Sequence, residues 1–387
     1  MLYEADRHTK LKPIQWSKTK AAEVIEHIFR SAVEGYDQDL LWKTHPNEDE
    51  PNPCLKTMYF GAAGILVGLT KLSRAQGLPL PFNPEELIEQ ILLKYDESPD
   101  TGSRAPAYFI GESGILLVHY GLTRSQRIAD RLYKSIEENI RNPVNEALWG
   151  SPGTMVGALF MYEWTNEETW KTLYQRNADY LFEEWKTNSQ DLKIWIQDLY
   201  GQIKEYVGAG HGFFGNVYSL LRGAALLSSS QRENLFRWTA DTTIASVTEE
   251  GDLANWPPIF GGKRFIVQWC HGAPGAIASL EKFPLGYSTK LDSLLEKGGN
   301  LIWKAGPLAK GGSLCHGTAG NGYAFLKLYR RTGDEMWLER ARAFAMHAIE
   351  HRTHRHTLWT GDLGLACYLL SCIEGSCAMP AWDSPLF

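Results

Sequence analysis

Two Cys-His dipeptides, Cys270-His271 and Cys315-His316, carry the side chains best able to do chemistry, and His211 belongs with them because it too stands immediately before a glycine. Thiolate and imidazole are soft to borderline donors. Two of the first with one of the second suit Zn2+, and a fourth position left to water or substrate marks a catalytic ion rather than a structural one. As bare motifs the dipeptides match no zinc finger or ribbon, being too far apart in the chain. Something larger must bring them together.

That larger pattern is a repeat. A Gly-x-x-Gly step followed by an apolar helical run recurs seven times, with first glycines at Gly61, Gly111, Gly150, Gly212, Gly272, Gly317 and Gly361. Each interval has room for two helices. Segments after the glycines, such as GILVGLTKL and GLACYLLSCI, are apolar nearly all round, as a helix buried on several sides must be. Between them lie amphipathic stretches such as QRIADRLYKSIEENIR, where Ile128, Leu132, Ile136 and Ile140 share one face. The alternation predicts an all-α fold, an (α/α)7 toroid of seven inner and seven outer helices, with residues 1–387 as a single domain. A closed ring needs no polar capping repeats, which an open solenoid wants and which are not seen here. Two longer inserts, DLKIWIQDLYGQIKEY and NWPPIFGGKRF, predict extra loops shaping the rim.

In repeat register, Cys270 and Cys315 each stand two residues before the first glycine of their step, and His211, His271 and His316 stand one before. Neighbouring hairpins therefore aim donors at one place. The spacing leaves open whether His316 or His271 completes the set. The glycines predict tight turns, positive φ among them, or close helix approach. Inner helices starting there gather their N-termini at one end of the ring, where partial positive charge favours thiolates and other anions.

Composition narrows the function classes. The formal net charge of −6 is spread along the chain, with no basic face for nucleic acid or an anionic membrane. No segment supplies the roughly twenty apolar residues of a membrane span, and the N-terminus does not read as a signal peptide. A soluble, cytoplasmic protein is expected. Six cysteines in 387 residues are too sparse for a disulfide scaffold. Cys367 and Cys372 read as core of the last inner helix, Cys377 as tail, Cys54 as part of a Pro-rich loop, and His351, His354 and His356 as a solvated loop. Neither the paired acids of a glycosidase nor the Asp-rich motifs of a terpenoid cyclase are evident.

The segments WCHGAPG (269–275), GGSLCHGTAGNGYAFLKLY (311–329) and GAGHGFFG (208–215) resemble the lanthionine synthetase C-like family, and the resemblance extends over nearly the whole chain. It is closer to the LanC-like members that add glutathione to dehydroamino acids in proteins than to the lanthipeptide cyclases. The resemblance implies Zn2+ on Cys270, Cys315 and His316, with His211 in acid/base work. Cyclases carry an acidic residue, usually Asp, four before the third repeat's glycine; Glu146 stands there, as expected of the LanC-like branch, to orient His211 or relay its proton. Cyclases also place an Arg four before the first zinc cysteine, where this chain has Ile266, with Lys263 and Arg264 just upstream as substitutes. Arg7 and Lys310 are further candidates for holding the thiol's carboxylates. The implied reaction adds glutathione or another thiol to dehydroalanine or dehydrobutyrine in a protein or peptide, forming a thioether. Intramolecular cyclisation of a ribosomal peptide, or zinc or glutathione binding without turnover, are the alternatives.

Overall fold

A computed structural model describes residues 1–46, 48 and 53–384. Its helices alternate between two layers. The inner layer is α2 (Ala62–Gln76), α4 (Glu112–Thr123), α6 (Ser151–Thr165), α8 (Phe213–Arg222), α10 (Ala273–Leu280), α12 (Thr318–Thr332) and α14 (Asp362–Glu374). The outer layer is α1 (Lys18–Glu34), α3 (Pro84–Glu97), α5 (Gln126–Asn139), α7 (Glu168–Glu184), α9 (Ser229–Ser246), α11 (Thr289–Ala305) and α13 (Glu335–Glu350). Each inner helix packs on the next, and α14 packs back on α2. The ring closes as the (α/α)7 toroid that the repeats predict, with α1 laid over the α14–α2 seam.

The two layers begin differently, and the difference builds the site. Outer helices α1, α3, α9, α11 and α13 start on side-chain caps, Ser17, Asn83, Ser228, Ser288 and Asp334, each accepting from a backbone N–H of the first turn. Inner helices start at glycine with no side-chain cap. Instead the first N–H of α2, α4, α8, α12 and α14 bonds a carbonyl of the approach loop, that of Leu55, Ala105, Tyr206, Gly311 and Arg355. The loop thus folds back over its own helix. A β-carbon on the second glycine of each step would lie about 2 Å from a loop carbonyl, for example 2.2 Å from Tyr108 O at Gly114 and 2.0 Å from Trp269 O at Gly275. Close approach, not positive φ, is therefore what the repeat demands. Of the seven first glycines only Gly272 has positive φ, at 97°.

At Gly320 the β-carbon would sit 1.8 Å from Leu314 O, in the loop that carries Cys315. Gly320→Ala is expected to destabilise the chain by about 2–3 kcal/mol, the scale of overpacking strain in a tight core. Thermal denaturation reads this directly, and an unchanged melting temperature contradicts the close-approach account.

The ring is not an open pore. Its C-terminal segment turns into the centre, where Ala381 O accepts from Tyr108 Oη at 2.9 Å and Trp382 O from Tyr218 Oη at 2.7 Å. Buried Lys327 of α12 holds Asp383 at 2.8 Å. Trp382 packs with Trp269 and Tyr218, and Trp269 with Trp359, so an aromatic layer lies beneath the approach loops. Cys367 and Cys372 are fully buried in α14, and burial pushes both thiols up to about 12, in keeping with a core role.

The first long insert departs from the expected plain loop. It folds as two small hairpins, β3 (Lys186–Thr187) with β4 (Lys193–Ile194) and β5 (Gln197–Leu199) with β6 (Gln202–Lys204), like the short pair that β1 (Tyr36–Asp37) and β2 (Leu41–Trp42) make after α1. The cause is a two-residue turn, Tyr200-Gly201, with φ of 52° and 71° at the two positions, the backbone form that matches strand twist in a tight hairpin. Among the described residues no helix is long and apolar enough to cross a membrane.

Candidate metal centre

The approach loops place two side chains per repeat on the rim, one and two residues before the first glycine. In chain order the pairs are Tyr59-Phe60, Phe109-Ile110, Leu148-Trp149, Gly210-His211, Cys270-His271, Cys315-His316 and Trp359-Thr360. Seven of them line one cavity of about 290 Å3, whose wall includes Tyr59, Phe60, Trp149, His211 and His316, with Tyr200 from the first insert. At Gly210 a β-carbon would come 2.9 Å from Cys270 Cβ. The fourth repeat gives up its side chain so that the fifth can insert a thiol.

Cys270, Cys315 and His316 offer one donor atom each, all within 4.8 Å of one another. Cys315 Sγ lies 3.5 Å from His316 Nε2. His271 is turned away, although it occupies the same register as His316. Its backbone pairs with Gln268 in a tight turn, its ring stands 5.8 Å from that of His211, and its Nδ1 is buried without a hydrogen-bond partner. The trio assembled in space is the one with His316.

Both thiols are buried, which opposes ionisation of either. Against that burial, the hydrogen bond with Cys315 and the imidazoles of His271 and His316 pull Cys270 well below the usual thiol range. Burial and the Cys270 charge push Cys315 well above it. The protein alone thus accommodates one negative charge on the pair, and a divalent cation is what would let both sulfurs ionise. Two sulfurs and an imidazole in a shared buried niche fit Zn2+. Further bonds orient the sulfurs: Gln268 Nε2 donates to Cys270 Sγ at 2.9 Å, and the Tyr59 hydroxyl bonds Cys315.

Glu146 and His211 form a second unit on the same rim. Glu146 is fully buried. Its carboxylate accepts from the backbone N–H of Leu148 at 3.0 Å and of Trp149 at 2.5 Å, which pins it, and accepts a hydrogen bond from His211 Nδ1 at 3.0 Å. That bond fixes the ring and leaves Nε2 for the cavity. Burial pulls the His211 pKa down, but the hydrogen bond and charge of Glu146 outweigh it and the net direction is up.

The basic candidates are more peripheral. Lys263 is exposed, and Arg264 is bonded to Glu4 through Nε at 2.8 Å. Ile266 is buried. Lys310 is exposed, though close enough to Cys315 for its charge to favour the thiolate. Arg7 reaches furthest in, donating to Gln268 Oε1 at 2.8 Å, so that Arg7, Gln268 and Cys270 form one chain of hydrogen bonds. Gln268, Tyr59, Trp149 and Tyr200 are the site residues that the sequence reading passed over. A signal existed for three of them: Tyr59 shares the register of the cysteines, Trp149 that of the histidines, and Gln268, four before Gly272, that of Glu146.

Comparison with known proteins agrees with this architecture. Residues 53–386 match the lanthionine synthetase C-like protein family. The chain is 33% identical over 323 residues to a Danio rerio protein named glutathione S-transferase LANCL1, covering 79% of this chain and 77% of that one. It is 39% identical over 127 residues to LanC-like protein GCL1 of Arabidopsis thaliana, 29% of either chain. Among solved structures, nisin cyclase shares the fold with a TM-score of 0.67 at 16% identity, covering 92% of this chain and 94% of that chain. With its seven-hairpin ring and a family match over most of its length, the chain belongs to the lanthionine synthetase C-like family.

Proposed function

We propose that this protein adds a thiol, glutathione, to dehydroalanine or dehydrobutyrine residues of proteins or peptides, with Zn2+ held by Cys270, Cys315 and His316, and that residues 1–387 act as one LanC-like unit. One observation carries the reading: His316, from the donor trio, and His211, from the Glu146 pair, line the same cavity. Bound there, Zn2+ supplies the positive charge that lets a thiol lose its proton near neutral pH.

The chain's own residues do the rest. The thiolate sulfur forms a bond to the acceptor's β-carbon as the carbon–carbon π bond breaks, its electrons moving onto the α-carbon and carbonyl oxygen. His211, oriented by Glu146, presents a protonated Nε2 and delivers that proton to the α-carbon, completing the thioether; the thiol's proton, lost at the outset, reprotonates His211 through solvent. Phe60, Trp149 and Tyr200 wall the cavity and restrict water. Arg7, Lys263, Arg264 and Lys310 supply positive charge on this rim for the carboxylates of glutathione. Among the described residues, which include all six cysteines, no disulfide is formed, which suits a reducing, cytoplasmic setting.

The test is a mass measurement. Incubation with glutathione and a dehydroalanine peptide is expected to give a peptide heavier by one glutathione, with nothing lost; no gain with any thiol or dehydropeptide contradicts the reading.

The pH profile has a defined sign. His211 acts as its protonated form, so the rate falls as pH rises through its raised pKa. In Glu146→Gln the carboxylate that raises this pKa is gone and burial remains, so the alkaline limb is expected to move to lower pH. A limb that stays in place contradicts the pairing. The same linkage makes the pair stabilising below the ordinary histidine pKa, a contribution lost as pH rises through the folded value.

A further inference from the structure

The hairpin of β5 and β6 carries more apolar surface than its packing uses. Ile196, Tyr200 and Ile203 are 44%, 68% and 70% exposed, three of the eight large hydrophobic residues exposed among the described residues. The two strands differ: β5 alternates, with Gln197 and Leu199 buried and Asp198 exposed between them, whereas β6 is exposed throughout, Ile203 opposite Asp198 included. Tyr200, at the turn, lines the cavity, accepts the Trp149 indole N–H at 3.3 Å and stands edge-on to His211 with ring centres 6.1 Å apart.

The hairpin is also held rigidly to the reacting groups. Gln197 Nε2 donates to Asn145 O at 3.2 Å, its Oε1 accepts Tyr206 N at 2.7 Å, and Asn145 Nδ2 donates to Ile196 O at 3.3 Å. Asn145 immediately precedes Glu146. A pre-organised apolar surface spends little entropy on binding.

We infer that this hairpin is the docking surface for the acceptor polypeptide, selecting an extended segment that has an apolar residue within a few positions of the dehydroamino acid. The inference rests on the thiol-addition reading above. At about 290 Å3 the cavity is at or below the small end of ligand pockets. It takes the modified residue, while the chain on either side crosses the rim. Tyr200 is the cavity wall that continues outward, and Ile203, on β6 just past the turn and opposite Asp198, lies roughly 7 Å from the turn along the strand, the reach of a neighbouring residue or two of extended polypeptide.

The test uses the full chain and short fluorescent peptides with Ala at the acceptor position, flanked by Leu or by Glu, read by anisotropy. Wild type is expected to bind the Leu-flanked peptide about tenfold more tightly, the worth of one or two partly buried aliphatic side chains. Tyr200→Ala and Ile203→Asp are expected to erase that ratio. The ratio is its own control for folding, because a damaged protein loses both peptides alike. Equal affinity in wild type, or a preference kept by both variants, overturns the inference. So does an Ile203→Asp variant that only dissociates a dimer in sedimentation, which assigns the surface to a second copy. With dehydroalanine peptides the same ratio is expected in KM. Absence of turnover there counts against the reaction alone, since anisotropy decides the docking.

Discussion

Cys315→Ala is expected to leave the protein without its metal and to reduce thiol addition by a thousandfold or more. Structural zinc in small peptides is held by ~10–16 kcal/mol shared over four bonds, and on that scale losing one of three protein donors here costs several kcal/mol, on the order of a thousandfold in affinity. Burial and the neighbouring Cys270 also both oppose ionisation of Cys315 without a cation. Metal analysis and the mass assay read the two losses together. Cys372→Ala is the control: that thiol is buried in α14, so its truncation should lower stability modestly and leave one metal per chain. A Cys315→Ala protein that retains stoichiometric zinc and full rate contradicts the assignment.

His211→Asn is expected to lower kcat by about 10²–10⁴-fold, the usual worth of a positioned general acid, while metal content stays at one per chain. Asparagine keeps a polar group beside Glu146 but cannot supply a proton at the position that Nε2 occupies. The separation of metal from rate is the point: Cys315 variants lose both, and His211 variants lose only the second. Glu146 acts through His211 and is a positioning residue, so Glu146→Gln should show a smaller drop together with the displaced alkaline limb. Equal effects of Cys315→Ala and His211→Asn on metal content would show His211 to be a ligand instead.

Much of this is legible in the amino-acid sequence. The seven glycine steps set the ring, and their register brought Cys270 and Cys315 together across a gap that no local motif spans. Register could not choose between His271 and His316, because both stand one residue before a glycine. The choice is made by backbone: Gly272 adopts φ of 97° and the Gln268–His271 turn closes on itself, which swings His271 toward His211. Nor could register show that the second glycine of each step answers a carbonyl six residues upstream, since that contact exists only once the loop folds back. The rim hairpin was hidden because its Tyr200-Gly201 turn sits inside a run with no turn cluster around it. The C-terminal plug was hidden for a plainer reason: residues 379–384 have no periodicity, and contacts from distant repeats, the tyrosines of α8 and of the loop before α4 with Lys327 of α12, give the segment its place.

The most direct test of the central claim is a titration of metal-free protein with Zn2+, following glutathione adduct formation on a dehydroalanine peptide. The rate should rise in proportion to added zinc and break sharply at one equivalent per chain. A metal-free protein already at full rate, or a protein that binds one zinc and forms no adduct, would contradict it.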